Sequence, residues 1–174
     1  MPIDDCPHSF AKLANEVLPD RMNEMQQSIK TPIKMSQFGV RGNGKKTLIL
    51  ASGFHEDIRG CYVFLENGKP IYVGISGHVF ERLLQHTQAG DHLTASLAYR
   101  MAKQKIPQAT TARLAMLNPV FRAEFDTQRE YLLRLDVAIV EIPNPLELYL
   151  FEAYCAMELN TSLENGGQNT FGLH

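Results

Sequence analysis

The chain has 174 residues, of which 44% are apolar and 21% charged, and its formal net charge is -2. This composition is typical of one globular domain with a core of its own. It excludes a membrane helix, since no apolar run reaches the roughly 18 residues needed, and the opening MPIDDCPHSF lacks the basic and apolar regions of a signal peptide.

The cysteines indicate the cellular environment of the protein, and the charge distribution indicates its binding partners. Three scattered cysteines argue against a disulfide framework and indicate a reducing, cytoplasmic environment. Residues 25–55 and 92–123 contain no acid, yet each carries several basic side chains. Basic segments separated from the acids in this way can form a face that follows a phosphate backbone, although two solvated surfaces would give the same pattern.

The N-terminal third contains one periodic segment and one flexible segment. Apolar residues at helical spacing predict a helix over residues 7–29, and Pro19 predicts a break or kink near Leu18 to Asp20. Residues 31–44 are glycine-rich and basic. They match neither the GxxxxGK(S/T) spacing of a P-loop nor the GxGxxG spacing of a Rossmann fold. We expect a basic loop there, a short apolar strand or linker at residues 47–51, and a domain boundary at residue 59.

Residues 61–65 and 70–75 are predicted to be two strands joined by a tight turn at Asn67-Gly68. A two-residue turn would point Tyr62 and Tyr72 to opposite faces of the hairpin. A three-residue loop with a left-handed Gly68 would instead place the two tyrosines directly opposite each other on one face. A site shared by the tyrosines requires the second register. Ordinary β packing is the plainer interpretation of the pair.

A helix is predicted directly after the second strand, over residues 77–87, with Ser76 as its N-cap. Its buried stripe consists of Val79, Phe80, Leu83 and Leu84. His78, Arg82 and His86 follow one another at a spacing of four, so they line another face together. The short connection points that face toward the tyrosines, although an exposed polar flank would show the same spacing.

The remaining segments predict further helices over residues 91–105, 110–117 and 120–134, a strand at residues 136–142, and a helix at residues 145–159. Glu152 lies in the middle of this last helix between Phe151 and Ala153. A glutamate among apolar neighbours either extends its carboxylate to solvent or has a function. Glu147 and Glu158, on the same helix, are the alternatives to Glu152 as the functional carboxylate, and both are expected to be exposed.

Two triplets in the hairpin carry a family resemblance. Gly60-Cys61-Tyr62 and Tyr72-Val73-Gly74 each differ by one residue from the triplets that name the GIY-YIG nuclease superfamily, and both keep the tyrosine. Arg82, with His86 four residues later, is similar to the arginine helix of that family. The chain from residue 60 onward therefore resembles a GIY-YIG nuclease domain, with a helical insertion at about residues 91–135 and residues 1–59 as an extension.

The resemblance implies an α+β fold with a small, mostly antiparallel three-stranded sheet flanked by helices. It implies that Tyr62, Tyr72, Arg82, His86 and Glu152 are catalytic, that Glu152 binds Mg²⁺ or Mn²⁺, and that Asn169 is the late asparagine of the family. We expect further contacts to the substrate from the basic segments. The candidates are His92, Lys45, Lys46 and Arg100.

These residue types fit the hydrolysis of a phosphodiester bond. One carboxylate suits Mg²⁺, which keeps most of its waters, and the planar fork of Arg82 suits phosphate oxygens. Either Tyr62, as the family implies, or His86 is expected to be the general base. The predicted function is a metal-dependent DNA endonuclease. A restriction enzyme of this kind would cut both strands as a homodimer. The alternatives are a non-catalytic nucleic-acid-binding module of the same fold and an unrelated α/β protein.

Overall fold

The computed structural model describes residues 3–171, and its contacts divide the chain into two compact units. Among the described residues, the first unit comprises residues 3–33, Asp57–Val79 and residues 136–171. The second comprises Lys34–Glu56 and Phe80–Leu135. The predicted α+β class is confirmed. The predicted boundary at residue 59 stays a prediction.

The first unit contains the sheet, whose strand order is β1-β4-β2-β3. Strand β2 (Gly60–Glu66) pairs antiparallel with β3 (Lys69–Ser76) on one side and with β4 (Asp136–Glu141) on the other. Strand β1 (Ile33–Lys34) lies beside β4 and adds a fourth strand to the three predicted. Two residues are too few to show the alternation by which a sequence reveals a strand.

The hairpin turn is the two-residue one. Asn67 and Gly68 both have positive φ, 52° and 80°, as a type I′ turn requires. Glu66 faces Lys69, and Leu65 faces Pro70. The three-residue loop that would place the tyrosines opposite each other is therefore wrong.

A β-bulge then brings the tyrosines to one face by another route. The register shifts after Leu65, so that Phe64 faces Tyr72 and Tyr62 faces Gly74. Ile71 is the extra residue on β3. Since a shift of one residue exchanges the two faces of a strand, Tyr62, Phe64 and Tyr72 share a face, as a common site requires.

The opposite face of the sheet forms the core of the first unit. Helices α2 (Leu18–Lys30) and α8 (Pro145–Glu158) both pack on it. Because alternate residues of a strand point to opposite faces, this core takes the strand positions that the tyrosines do not occupy. Its members from the three longer strands are Cys61, Val63, Leu65, Val73, Ala138 and Val140.

The N-terminal helical segment has no break at Pro19. Helix α1 (Phe10–Lys12) continues through a wider π-helical stretch, Leu13–Val17, directly into α2. Leu18 keeps helical angles, with φ -65° and ψ -42°. The proline occupies the first turn of α2, where its missing N–H costs little, and the wider turn precedes it. The helix is therefore not broken there, and the π-helical stretch before Pro19 is the irregularity that the structure has in this region.

The second unit is helical. Helix α3 (Lys45–Ala51) replaces the predicted strand at residues 47–51, because a short apolar run does not distinguish a strand from a buried helical turn. The helix α4 (Val79–Gln88) begins at the last residue of the first unit, two residues later than predicted. The Ser76 hydroxyl bonds to the backbone of His78 at 3.0 Å and does not cap a helix.

Three more helices complete the second unit: α5 (Ser96–Lys105), α6 (Ala112–Ala115) and α7 (Pro119–Leu132). Helices α5 and α7 pack against each other. Asn118 caps α7 by accepting hydrogen bonds from the N–H groups of Val120 and Phe121. Every helix within residues 3–171 is too short or too polar to cross a membrane.

Candidate active site

The tyrosine face of β2 and β3 is an aromatic cluster. The ring centroid of Tyr62 lies 6.2 Å from that of Tyr72 and 5.5 Å from that of Phe64, and the Phe64 and Tyr72 rings stack at 6.0 Å. Tyr62 is 1% exposed, whereas Tyr72 is half-buried. Tyr72 is therefore the more accessible of the two.

Gly74 makes room for this arrangement. A Cβ atom at Gly74 would lie 2.6 Å from the ζ carbon and hydroxyl oxygen of Tyr62, and 2.9 Å from a ring carbon of Tyr72. No side chain fits at such distances unless the rings move. The missing side chain of Gly74 thus lets the Tyr62 ring cross strand β3 with its hydroxyl over the backbone.

Glu152 lies on α8, which packs on the face of the sheet opposite to the tyrosines. The carboxyl group is half-buried, and burial raises its pKa. Its negative charge also contributes to raising the pKa of the buried Cys61 thiol, after burial itself and the neighbouring Cys155. Within residues 3–171, the Glu152 carboxylate accepts no hydrogen bond and forms no ion pair.

An unpaired, half-buried carboxylate is a group that a cation would stabilise. Desolvation disfavours its charged form, and a nearby positive charge restores it. Within the described residues no three His, Cys, Asp or Glu side chains are grouped to hold a metal ion. A magnesium site does not require such a group, since Mg²⁺ is commonly held by one or two carboxylates and substrate phosphate. Glu152 fits that kind of site.

The two alternative glutamates, Glu147 and Glu158, lie in surroundings that differ from those of Glu152. Glu147 is buried, contrary to expectation, and its carboxylate accepts a hydrogen bond from Arg21 at 2.7 Å. Glu158 is exposed, as predicted. Glu147 is thus neutralised within the protein, whereas the half-buried Glu152 has no hydrogen-bond or ion-pair partner among residues 3–171.

Asn169 is buried against the outer edge of β3. Its Oδ1 accepts a hydrogen bond from the Val73 N–H at 2.7 Å, and its amide donates to the Val73 carbonyl at 2.8 Å. The Thr161 hydroxyl donates to the same Oδ1 at 2.9 Å. The side chain thus pairs with the strand as a further strand would, and it covers an edge that would otherwise be exposed. Its predicted contact with substrate stays a prediction.

The second unit holds Arg82 in a defined orientation. Its guanidinium donates to the Thr94 carbonyl at 2.6 Å, to the Ser96 hydroxyl at 2.8 Å and to the Gln85 side chain at 3.2 Å. The sequence interpretation missed Thr94 and Ser96 as partners. The Asp91 side chain, which accepts from the N–H of Thr94 at 2.9 Å, fixes the turn that presents them. An oriented planar fork is the geometry that phosphate recognition requires.

His86 is fully buried, so the three residues His78, Arg82 and His86 do not form an exposed polar flank, which was the plainer interpretation of their spacing. His78 precedes the helix and is exposed, and Arg82 is half-buried. Burial lowers the pKa of His86 to about 3, and the positive charges of Arg82 and Arg100 contribute to the shift. The imidazole is neutral at pH 7, and a group with this pKa is a weak base.

We expect the imidazole signals of His86 to stay constant between pH 8 and pH 5. Its folded pKa lies below the ordinary value of 6.5, so only the unfolded chain takes up this proton as the pH falls from 6.5 toward 3. Stability therefore declines with falling pH across that window. NMR titration measures the protonation directly, with His86→Gln to assign the signals. A midpoint near 6.5 would contradict the buried, neutral state.

The other predicted substrate contacts all lie in the second unit. The Lys45 ammonium forms an ion pair with Glu81 at 3.0 Å, whereas Lys46 is exposed. His92 packs on the Tyr99 ring at 5.6 Å. Arg100 is half-buried, close enough to His86 for its charge to affect that pKa. Arg82 and Arg100 thus form one electropositive region around the neutral His86.

Comparisons of the chain with family models, curated proteins and solved structures found no match.

Proposed function

We propose that this protein is a Mg²⁺-dependent endonuclease that hydrolyses phosphodiester bonds in DNA. The observation that supports this proposal most is the hairpin, where two tyrosines share one face and Gly74 gives Tyr62 its room. This arrangement belongs to the segment that resembles the GIY-YIG nucleases. Core packing alone would not call for two hydroxyl groups on that face, since phenylalanine would fill it equally well.

Arg82 is proposed to grip the scissile phosphate. Its hydrogen bonds to Thr94 and Ser96 fix the guanidinium before substrate arrives, so less entropy is lost on binding. Negative charge accumulates on the phosphate oxygens during hydrolysis. A cation already in position stabilises that charge more in the transition state than in the ground state.

Glu152 is proposed to hold the metal, although its helix packs on the face of the sheet opposite to the tyrosines. The unpaired and partly desolvated carboxylate would gain a counter-charge from Mg²⁺. When bound, the metal would neutralise phosphate charge and lower the pKa of a bound water. Mn²⁺ has similar ligand preferences and is expected to substitute for it.

The general base is assigned to the tyrosine pair in preference to His86. A histidine with a pKa of about 3 holds a proton poorly in neutral solution. Tyr72 is the half-buried member of the pair and is proposed to contact water or phosphate. The ring centroid of Tyr62 lies 6.2 Å from that of Tyr72. Tyr62 is proposed to act together with Tyr72 in removing the proton from the attacking water.

The burial of Tyr62 and His86 favours one alternative, a nucleic-acid-binding module without catalysis. Binding needs only the electropositive region around Arg82 and Arg100, and no tyrosine has to reach the substrate. The two proposals differ in one observable. The module would bind DNA in a salt-dependent manner and would leave its phosphodiester bonds intact under every metal tested.

Arg82→Ala tests the nuclease proposal. We expect cleavage of plasmid DNA with Mg²⁺ to fall by about 10²- to 10³-fold, the usual cost of removing one group that stabilises transition-state charge. The control is Arg113→Ala, since Arg113 is an exposed arginine of the same unit. Circular dichroism checks that both variants fold. Wild-type rates in a folded Arg82→Ala protein would remove Arg82 from the proposed site.

A further inference from the structure

A cleft of about 370 Å³ opens in the first unit, between the end of β3 and the start of α8. The residues that matter here are Arg59, Ser76, Gly77, Leu148 and Tyr149, which all line it. Its volume is at the lower end of the range of about 300–1,000 Å³ that small-molecule sites occupy. None of these residues has a role in the proposed catalysis.

One side of the cleft is electropositive. Arg59 is exposed, and its guanidinium donates to the Pro143 carbonyl at 2.7 Å, which fixes its position at the rim. The first turn of the 14-residue α8 contributes Pro145 to the lining. Pro145 has no N–H to donate, and the Asn144 side chain already accepts from the Glu147 N–H, so the positive charge on this side comes from Arg59. The Ser76 hydroxyl adds a polar group that already bonds to the His78 backbone.

The other side is aromatic. Tyr149 is 67% exposed, although it is a large side chain on an otherwise apolar helix. Leu148, next to it in the lining, is buried and supports that wall from the core. A fixed cation and an exposed ring in one cleft are the combination by which proteins hold one nucleotide of a single strand, with the phosphate on the cation and the base stacked on the ring.

We propose that this cleft binds one unpaired nucleotide of the DNA substrate. Arg59 takes the phosphate, and Tyr149 takes the face of the base. A base inside a duplex has both faces covered by its neighbours, so the substrate class is DNA with an unpaired segment, such as an overhang, a flap or a bulge. This inference rests on the proposed function in one respect, the identity of the polymer as DNA.

The test measures DNA binding in the Glu152→Gln background, where cleavage does not interfere. The probes are a fluorescein-labelled thymidine 12-mer and a blunt duplex of equal length, followed by fluorescence anisotropy. We expect Tyr149→Ala to weaken binding of the single strand by about 5- to 100-fold, which corresponds to the loss of one stacked base. Binding of the duplex should change less than about twofold, and Tyr149→Phe should restore the ring and the affinity.

Arg59→Gln should weaken binding of the single strand and reduce its salt dependence by about one counterion. The matched controls are Phe10→Ala and Lys12→Gln, since both side chains are exposed in the same unit and lie outside the cleft. Neither control should change the affinity by more than about twofold. Weakening by the controls as large as by Tyr149→Ala and Arg59→Gln would overturn the assignment to this cleft.

The possible results separate this inference from the proposed function. Single-strand binding that both cleft variants leave unchanged overturns the cleft, while metal-dependent cleavage would still support the nuclease. Binding that depends on Tyr149 and Arg59, in a protein that cuts nothing with any metal, supports the cleft and overturns the nuclease. A protein that neither binds nor cuts DNA overturns both.

Discussion

Glu152→Gln is expected to abolish cleavage and to leave the protein at least as stable as the wild type. Glutamine keeps the shape of the side chain and removes the charge that would bind the metal. We expect a loss of about 10²-fold or more in the cleavage rate. Plasmid nicking over a range of Mg²⁺ concentrations measures it. Glu158→Gln is the control, because Glu158 is an exposed carboxylate on the same helix.

The stability half of this prediction follows from the pKa of Glu152. Burial raises that pKa above the ordinary value, so the folded protein binds the proton more readily than the unfolded chain does. Stability due to this group is therefore present at low pH and declines as the pH rises through the folded pKa. Glutamine removes the decline.

Metal binding should offset the loss of stability that the buried charge of Glu152 causes. Mg²⁺ is expected to raise the melting temperature of the wild type and not that of Glu152→Gln, since a ligand stabilises the state that binds it. Differential scanning fluorimetry measures both proteins. A metal-free variant that melts well below the wild type, or one that retains full cleavage, would contradict the role given to Glu152.

Gly74→Ala is expected to destabilise the protein by about 1–3 kcal/mol, the usual range for an added methyl group in a packed core. The new Cβ would lie 2.6 Å from the Tyr62 ring, and Tyr62 is too buried to move aside freely. Because the displaced ring is one of the proposed site residues, cleavage should fall as well. Urea unfolding measures the stability, and plasmid nicking measures the activity.

Two controls identify the cause. A Cβ at Gly44 would meet nothing within 4 Å and its φ is -75°, so Gly44→Ala should not destabilise the protein by this mechanism. In a Tyr62→Ala background the two closest contacts are absent and the contact with the Tyr72 ring carbon at 2.9 Å remains, so Gly74→Ala should cost less there. An equal cost in both backgrounds would show that the effect does not come from Tyr62.

The turn was predictable from the sequence, and the register of the tyrosines was not. Asn67-Gly68 indicates a type I′ turn, which by itself separates Tyr62 from Tyr72. The bulge at Ile71 restores a common face, and the carbonyl of Ile71 accepts a hydrogen bond from Gln168 at 2.7 Å. That contact spans almost a hundred residues of chain, so no local pattern reports it.

The burial of individual side chains was the other property that residue spacing in the sequence did not predict. The interval of four between Arg82 and His86 suggests that they share a helix face, yet His86 is fully buried and Arg82 is not. Glu147 and Glu152 show the same limit, because only the position of Arg21 on α2 decides which carboxylate is neutralised. Both facts depend on packing between segments distant in sequence, whereas the helices themselves follow from local periodicity.

The most direct test of the central claim is plasmid cleavage by the purified wild-type protein with Mg²⁺, beside Glu152→Gln and a sample with a chelator. We predict nicked or linear DNA in the wild-type reaction alone. Cleavage that persists with the chelator or in Glu152→Gln would contradict the proposed metal-dependent nuclease. So would an intact plasmid and an intact duplex with a single-stranded overhang in every sample, together with salt-dependent DNA binding.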